Sequence, residues 1–173
     1  MYKILLPYRC KYNEIFKKLY PYSFFFDVFC SFVLTKNETD MTPYIHQVKY
    51  YECDRMGVTH HSNYIRFMEE ARIFLLEELG YGYARMEEEG IISPVIGLEC
   101  EYKKTTTFMD DIAVIVTPKE IDSVKVSFSY EMKRGDELVF KGTSRHCFLR
   151  GGRPVLVKNE WPELYDKLKS EMA

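Results

Sequence analysis

The sequence predicts an α+β domain in which one long helix packs on an antiparallel sheet of about five strands. Three observations point to it. Residues 63–79 repeat apolar side chains at three- and four-residue intervals, the period of an amphipathic helix. One strand-like run precedes that helix and four follow it. The connections among the later runs are too short for parallel crossovers, so these strands pair antiparallel.

Each element has its own justification. Residues 44–52 alternate loosely and carry Tyr, Val and Ile, which favours β structure. In the helix, Tyr64, Phe67, Met68, Ala71, Phe74, Leu75 and Leu79 form one apolar stripe. Arg66, Glu69, Glu70, Arg72 and Glu77 take the other face, and Arg66 and Glu70 are spaced for an i,i+4 ion pair. Ser62 is placed to cap the helix start, and Gly80 to end it in the left-handed conformation. Residues 84–89 add a short helical turn. In 94–104, Ile96, Leu98, Cys100 and Tyr102 alternate with Glu99, Glu101 and Lys103. Residues 112–117 are apolar on both faces, as a central strand requires. Residues 124–133 alternate cleanly. Arg134-Gly135-Asp136 then turns the chain into a last strand over 137–149, closed by Gly151-Gly152. Pro162 suits the first turn of a final helix over 161–170, with Leu164, Tyr165 and Leu168 on one side.

Composition narrows the class. At 173 residues and 46% hydrophobic, the chain has the length of one domain with a real core. The net charge is −2, and no basic run or aromatic platform among Lys and Arg suggests a nucleic-acid partner. The five cysteines are widely spaced and odd in number, which fits neither a zinc site nor a disulfide framework. Reduced thiols in a cytoplasmic protein are the simpler expectation. The apolar run from Tyr22 to Leu34 contains Asp27 and is shorter than the roughly 20 residues of a membrane span. No small-residue cleavage site follows it. Residues 36–40 read as a linker. The expected organisation is an N-terminal extension over 1–40 and a domain over 41–173, with Met41 as the functional start.

The stretch from Tyr50 to Tyr64 holds the chemistry. It ends a strand-like run, turns at Gly57 and enters the helix, so Asp54, His60, His61 and a helix N-terminus fall together. A helix start presents outward N–H groups and favours negative charge. The N–H groups near Ser62, Asn63 and Tyr64 are therefore expected as an oxyanion site beside a carboxylate. Asp54 serves there as a nucleophile or as a base that activates water. Its competing reading is a cap on the Gly57 turn. His61 is the candidate to orient a carbonyl or Asp54; His60 reads as structural or rim-facing. Adjacent side chains point apart and no third ligand is evident, so a His60/His61 metal pair is not expected. Tyr64 either lines a pocket or packs the helix, and Glu69 and Glu70 read as solvated or interface positions.

Tyr50, Asp54, Gly57 and Tyr64 stand in a Y-x-x-x-D-x-x-G-x-x-x-x-x-x-Y context, followed by Glu69-Glu70-Ala71-Arg72. With Glu101-Tyr102-Lys103-Lys104, Asp110-Asp111, Phe140-Lys141-Gly142-Thr143-Ser144 and Gly152-Arg153-Pro154-Val155, this order resembles the hotdog-fold acyl-CoA thioesterases of the 4-hydroxybenzoyl-CoA thioesterase type, over about residues 44–168. The resemblance implies a hotdog fold and acyl-CoA hydrolysis, with Asp54 as nucleophile or base, His61 assisting, and no metal or bound cofactor. It implies a homodimer or homotetramer with the site at the subunit interface. Coenzyme A phosphates would call on Lys103, Lys104, Arg150 and Arg153 as a group. A non-catalytic acyl-CoA-binding module and an acyl-thioester hydratase or dehydratase are the alternatives.

Overall fold

The computed structural model describes residues 42–172. The chain divides between Asp40 and Met41, and the expected extension over 1–40 lies outside the described residues. The α+β expectation holds. Strand β1 (Tyr44–Gln47) leads through a 3-10 turn (Tyr50–Glu52) to helix α1 (His61–Glu78) and a short helix α2 (Tyr83–Glu88). Then come β2 (Ile91–Ile92), β3 (Val95–Tyr102), β4 (Asp111–Ile121), β5 (Lys125–Arg134) and β6 (Glu137–Cys147). The chain finishes with β7 (Leu149–Arg150), β8 (Arg153–Pro154), α3 (Val157–Glu160) and α4 (Pro162–Ser170). The main sheet has the order β1-β4-β5-β6-β3 and is antiparallel at every pairing.

Helix α1 lies on one face of that sheet. Phe67, Met68, Ala71 and Leu75 are buried against a sheet face that includes Val114, Val116, Phe128, Met132 and Phe140. Burying each such side chain contributes about 1.5–3 kcal/mol. Gly142 opens the sheet for this packing: a Cβ there would meet the Phe140 ring at 2.8 Å and the Met68 sulfur at 3.1 Å. The helix ends as the glycine predicts. Gly80 has φ 81°, its N–H bonds to the Glu77 carbonyl, and the Tyr81 N–H bonds to the Leu76 carbonyl at 2.8 Å. This paired closure satisfies carbonyls that the helix end would leave open.

Four features depart from the sequence reading. First, α1 begins at His61 and its cap is His60, not Ser62. Second, Arg72 is buried rather than solvated; its guanidinium donates to the Tyr83 hydroxyl at 3.1 Å. Beyond it, the Tyr130 hydroxyl and Ser144 Oγ are 2.8 Å apart, and Ser144 Oγ lies 2.7 Å from His146 Nε2. His146 is fully buried and its Nδ1 has no partner of ordinary hydrogen-bond geometry among the described residues. Burial, with the Arg72 charge adding to it, pushes the His146 imidazole down to about 3. Third, the alternation of β3 does not mean burial: Ile96, Leu98 and Tyr102 are 47%, 41% and 46% exposed. β3 is an edge strand, and alternation cannot say which neighbour covers a face. Fourth, a small second sheet of order β2-β7-β8 joins the α2 end to the segment before α3. Its two-residue strands are too short to leave a period in the sequence.

Candidate active site

The Asp54 turn is built mostly by its own backbone. The Asp54 N–H bonds to the Val58 carbonyl at 2.9 Å, and the Gly57 N–H returns to the Asp54 carbonyl at 3.0 Å. Gly57 has φ 77°, a conformation with little steric cost only for glycine. Cys53 and Thr59 close the turn as an isolated antiparallel bridge. The loop between β3 and β4 clamps it from outside. Thr107 Oγ1 donates to the Gly57 carbonyl at 2.7 Å, and the Thr59 N–H to the Thr106 carbonyl at 2.7 Å. Inside, Thr106 Oγ1 lies 2.6 Å from Thr59 Oγ1 and 2.9 Å from the Tyr64 hydroxyl.

This frame leaves Asp54 half-buried. Its Oδ1 accepts the Met56 N–H at 2.8 Å, so the turn-capping role is present. Oδ2 has no partner among the described residues. The carboxylate is therefore fixed by one oxygen and open at the other.

The helix start differs from the expected donor set. The Asn63 N–H is taken by the His60 carbonyl at 2.9 Å. The Asn63 side chain is buried and donates to the Glu52 carbonyl at 2.7 Å. The Ser62 N–H makes a long 3.4 Å contact to His60 Nδ1, which also lies 2.8 Å from Ser62 Oγ. Tyr64 is buried, stacked on Phe140 with its hydroxyl held by Thr106. The backbone N–H groups of His61 and Tyr64 have no acceptor of ordinary hydrogen-bond geometry among the described residues. The His61 side chain is exposed, and the Tyr102 hydroxyl donates to its carbonyl at 3.1 Å. The His60 and His61 rings do not point apart: their centroids are 4.1 Å apart at 38°. No group of three or more His, Cys, Asp or Glu among the described residues is placed to hold a metal ion.

The expected phosphate-binding group is divided. Lys103 and Lys104 follow the end of β3, where both backbone N–H groups bond to the Val139 carbonyl. Lys103 pairs with Glu101. Arg150 and Arg153 face each other across the β7–β8 pair, and Arg150 is 2.8 Å from Glu160. β7 joins Ile91–Ile92, next to the start of β3. The two basic pairs thus sit toward opposite ends of an eight-residue strand, about 25 Å long.

One cluster beside the turn escapes the sequence reading. His46, on β1, lies 2.9 Å from Glu52 Oε2 through Nε2 and 3.1 Å from Glu70 Oε2 through Nδ1. The Tyr44 hydroxyl also donates to Glu70 at 3.0 Å. Burial and that carboxylate push the Tyr44 hydroxyl up to about 12, so it stays a donor. Glu70 therefore bridges to β1, and the expected Arg66–Glu70 pair does not form. The only signal in the sequence is Glu52, two residues before Asp54.

Residues 48–168 match the thioesterase-like superfamily. The chain belongs to that superfamily. Its fold is the hotdog fold of that family's structures, and the reading as an enzyme, a thioester hydrolase, stands with it. The chain is 34% identical over 117 residues to a provisionally named esterase of Aquifex aeolicus (strain VF5), covering 68% of this chain and 91% of that one. It is 30% identical over 129 residues to a Bacillus subtilis (strain 168) protein provisionally named acyl-CoA thioesterase YneP, covering 71% and 94%. Among solved structures, a DHNA-CoA thioesterase from Staphylococcus aureus superimposes with a TM-score of 0.71 at 27% identity, covering 75% and 89%. Among the described residues, no helix of this thioesterase-family chain is long and apolar enough to cross a membrane.

Proposed function

We propose that the protein hydrolyses acyl-CoA thioesters to a carboxylic acid and free coenzyme A, with Asp54 as the reacting carboxylate. The observation that carries this is the half-open Asp54 carboxylate in the turn that leads into α1: one oxygen is fixed on the Met56 N–H, and the other has no partner among the described residues. As nucleophile, Asp54 attacks the thioester carbon and expels the coenzyme A thiolate, leaving a mixed anhydride that water opens. As base, it takes a proton from water as the water oxygen attacks the same carbon; the C–S bond then breaks, and the departing thiolate recovers that proton. Both routes end in the same acid and thiol.

Negative charge grows on the thioester oxygen in either route. The open His61 N–H supplies a donor, and the weakly held Ser62 N–H a second. Losing one such donor costs about 2.7–4 kcal/mol of barrier. The exposed His61 ring stands at the mouth of the site and is available to orient the substrate.

The assembly follows from β3. An exposed strand edge with large apolar side chains is a pairing surface. Antiparallel β3–β3 pairing between two copies covers that edge. It also brings the start of one β3 beside the end of the other, and with it the two separated basic pairs. A homodimer is thus the minimal unit of this reading, with coenzyme A phosphates held at the seam. No step in it calls for a metal or a bound cofactor.

The test is thiol release from a panel of acyl-CoAs, from acetyl to palmitoyl and including aromatic acyl groups. The expected result is turnover of at least one member. Binding of acyl-CoA without release from any of them overturns the hydrolase reading and leaves a binding module.

A further inference from the structure

We propose that His46 is a positioning residue that sets the Asp54 turn against the start of α1. This rests on the thioesterase reading of Asp54. The argument starts from Glu52, which is 6% exposed and two residues ahead of Asp54. Its carbonyl is the anchor of the helix start: it accepts the His60 N–H at 2.8 Å and the Asn63 side-chain amide at 2.7 Å. Its Oε2 accepts the Lys49 N–H at 2.7 Å and lies 2.9 Å from His46 Nε2. The turn before Asp54 is therefore fastened to the helix by its backbone and to β1 by its side chain.

His46 extends that fastening across to the helix body. Its Nδ1 is 3.1 Å from Glu70 Oε2, its ring packs on Phe67 with centroids 3.9 Å apart, and it is 7% exposed. The groups facing it are Glu52 from the 3-10 turn, Glu70 from α1, Tyr44 from β1 through Glu70, and the neutral Phe67 ring. Neither glutamate pairs with a Lys or Arg side chain among the described residues. The ring thus stands between two carboxyl groups, one on the 3-10 turn and one on α1, and ties both elements to β1. Loosening this bridge moves the segment that carries Asp54, and small misplacement of a reacting group is costly in rate.

The experiment compares wild type with His46→Gln, which keeps a polar side chain but lacks the two opposed ring nitrogens. Two readouts are made. The first is thiol release from the best acyl-CoA. The expected result is a kcat roughly 10- to 100-fold lower with KM changed far less. The second is amide hydrogen exchange, expected to speed up at the Asp54 and Gly57 N–H groups while Tyr81, at the far helix end, keeps its rate. If His46→Gln does not fold, Glu70→Gln, which alters only the half-exposed end of the bridge, takes its place with the same expectations at smaller size. A folded variant with wild-type kcat and exchange overturns the proposal. Wild type without thiol release from any substrate sinks the thioesterase reading instead, and the exchange at Asp54 and Gly57 still judges the positioning role.

Discussion

Two of the polar clusters that touch α1 are built in opposite ways. At its N-terminal end, the Asp54 turn is held largely by backbone bonds and leaves one carboxylate oxygen open. Along its buried face, Arg72, Tyr83, Tyr130, Ser144 and His146 surround a line of hydroxyl contacts in which all but one of the buried side-chain polar atoms are satisfied. A closed buried network has no room for a substrate and a large penalty for losing a member. A half-open rim has little to lose on substitution and a free lone pair for chemistry. Under the proposed function, the buried line carries stability and the rim carries reactivity, although the buried line contains the residue types usually associated with catalysis.

That assignment can be broken at several points. The largest structural effect is expected for Arg72→Ala, which removes a buried side chain and the donor to Tyr83. A loss of several kcal/mol belongs to the few mechanisms that destabilise strongly, and chemical denaturation measures it. Ser144→Ala strips the partner from both Tyr130 and His146 Nε2 and is expected to cost about 1–3 kcal/mol. In a chain of this length that lowers the thermal midpoint by about 2–4 °C per kcal/mol. In both variants the surviving folded protein keeps a near-wild-type turnover; a collapse of kcat instead would move the chemistry to the buried line.

His146 sharpens the comparison through pH. Its ring is neutral in the folded protein down to about 3 and titrates at its ordinary 6.5 when unfolded. Between those values the unfolded chain binds a proton that the folded chain does not. Stability therefore falls as pH drops from about 6.5 toward 3 and is fully present above that window. Thermal midpoints of wild type and His146→Gln across the window should differ in slope by about one proton; parallel curves would show that His146 does not titrate on unfolding. The smallest effect is expected at the rim. Replacing Lys103 and Lys104 together with alanine should raise KM for acyl-CoA a few-fold, and added salt should shrink the difference, as screening requires. An unchanged KM would remove both lysines from the phosphate site.

Much of this was legible in the residues. The helix was readable because seven apolar side chains keep one period, and the five main strands because their alternation and short turns leave few other arrangements. The turn at Asp54 was readable because Gly57 and the helix that follows give it a context. The His46 bridge was not, because Glu70 is 24 residues away and a strand histidine carries no mark of its partner. Arg72 was misplaced because helical period separates apolar from polar, and a buried Arg breaks that rule with tyrosine hydroxyls in place of a carboxylate. The helix start was placed late because Ser62 is the better capping type, yet His60 supplies the acceptor. The face of β3 was misjudged because its cover is not supplied by this chain's own described elements.

The central claim is that turnover resides in the Asp54 carboxylate and not in the fold around it. Asp54→Asn tests it most directly, because asparagine keeps an oxygen for the Met56 N–H and so preserves the turn. Thiol release and thermal midpoint are measured on the same preparation. The account predicts a fall in turnover of about 10³-fold, near 4 kcal/mol of barrier, with the midpoint unchanged. Turnover within about tenfold of wild type, a change of only about 1.4 kcal/mol, would contradict it.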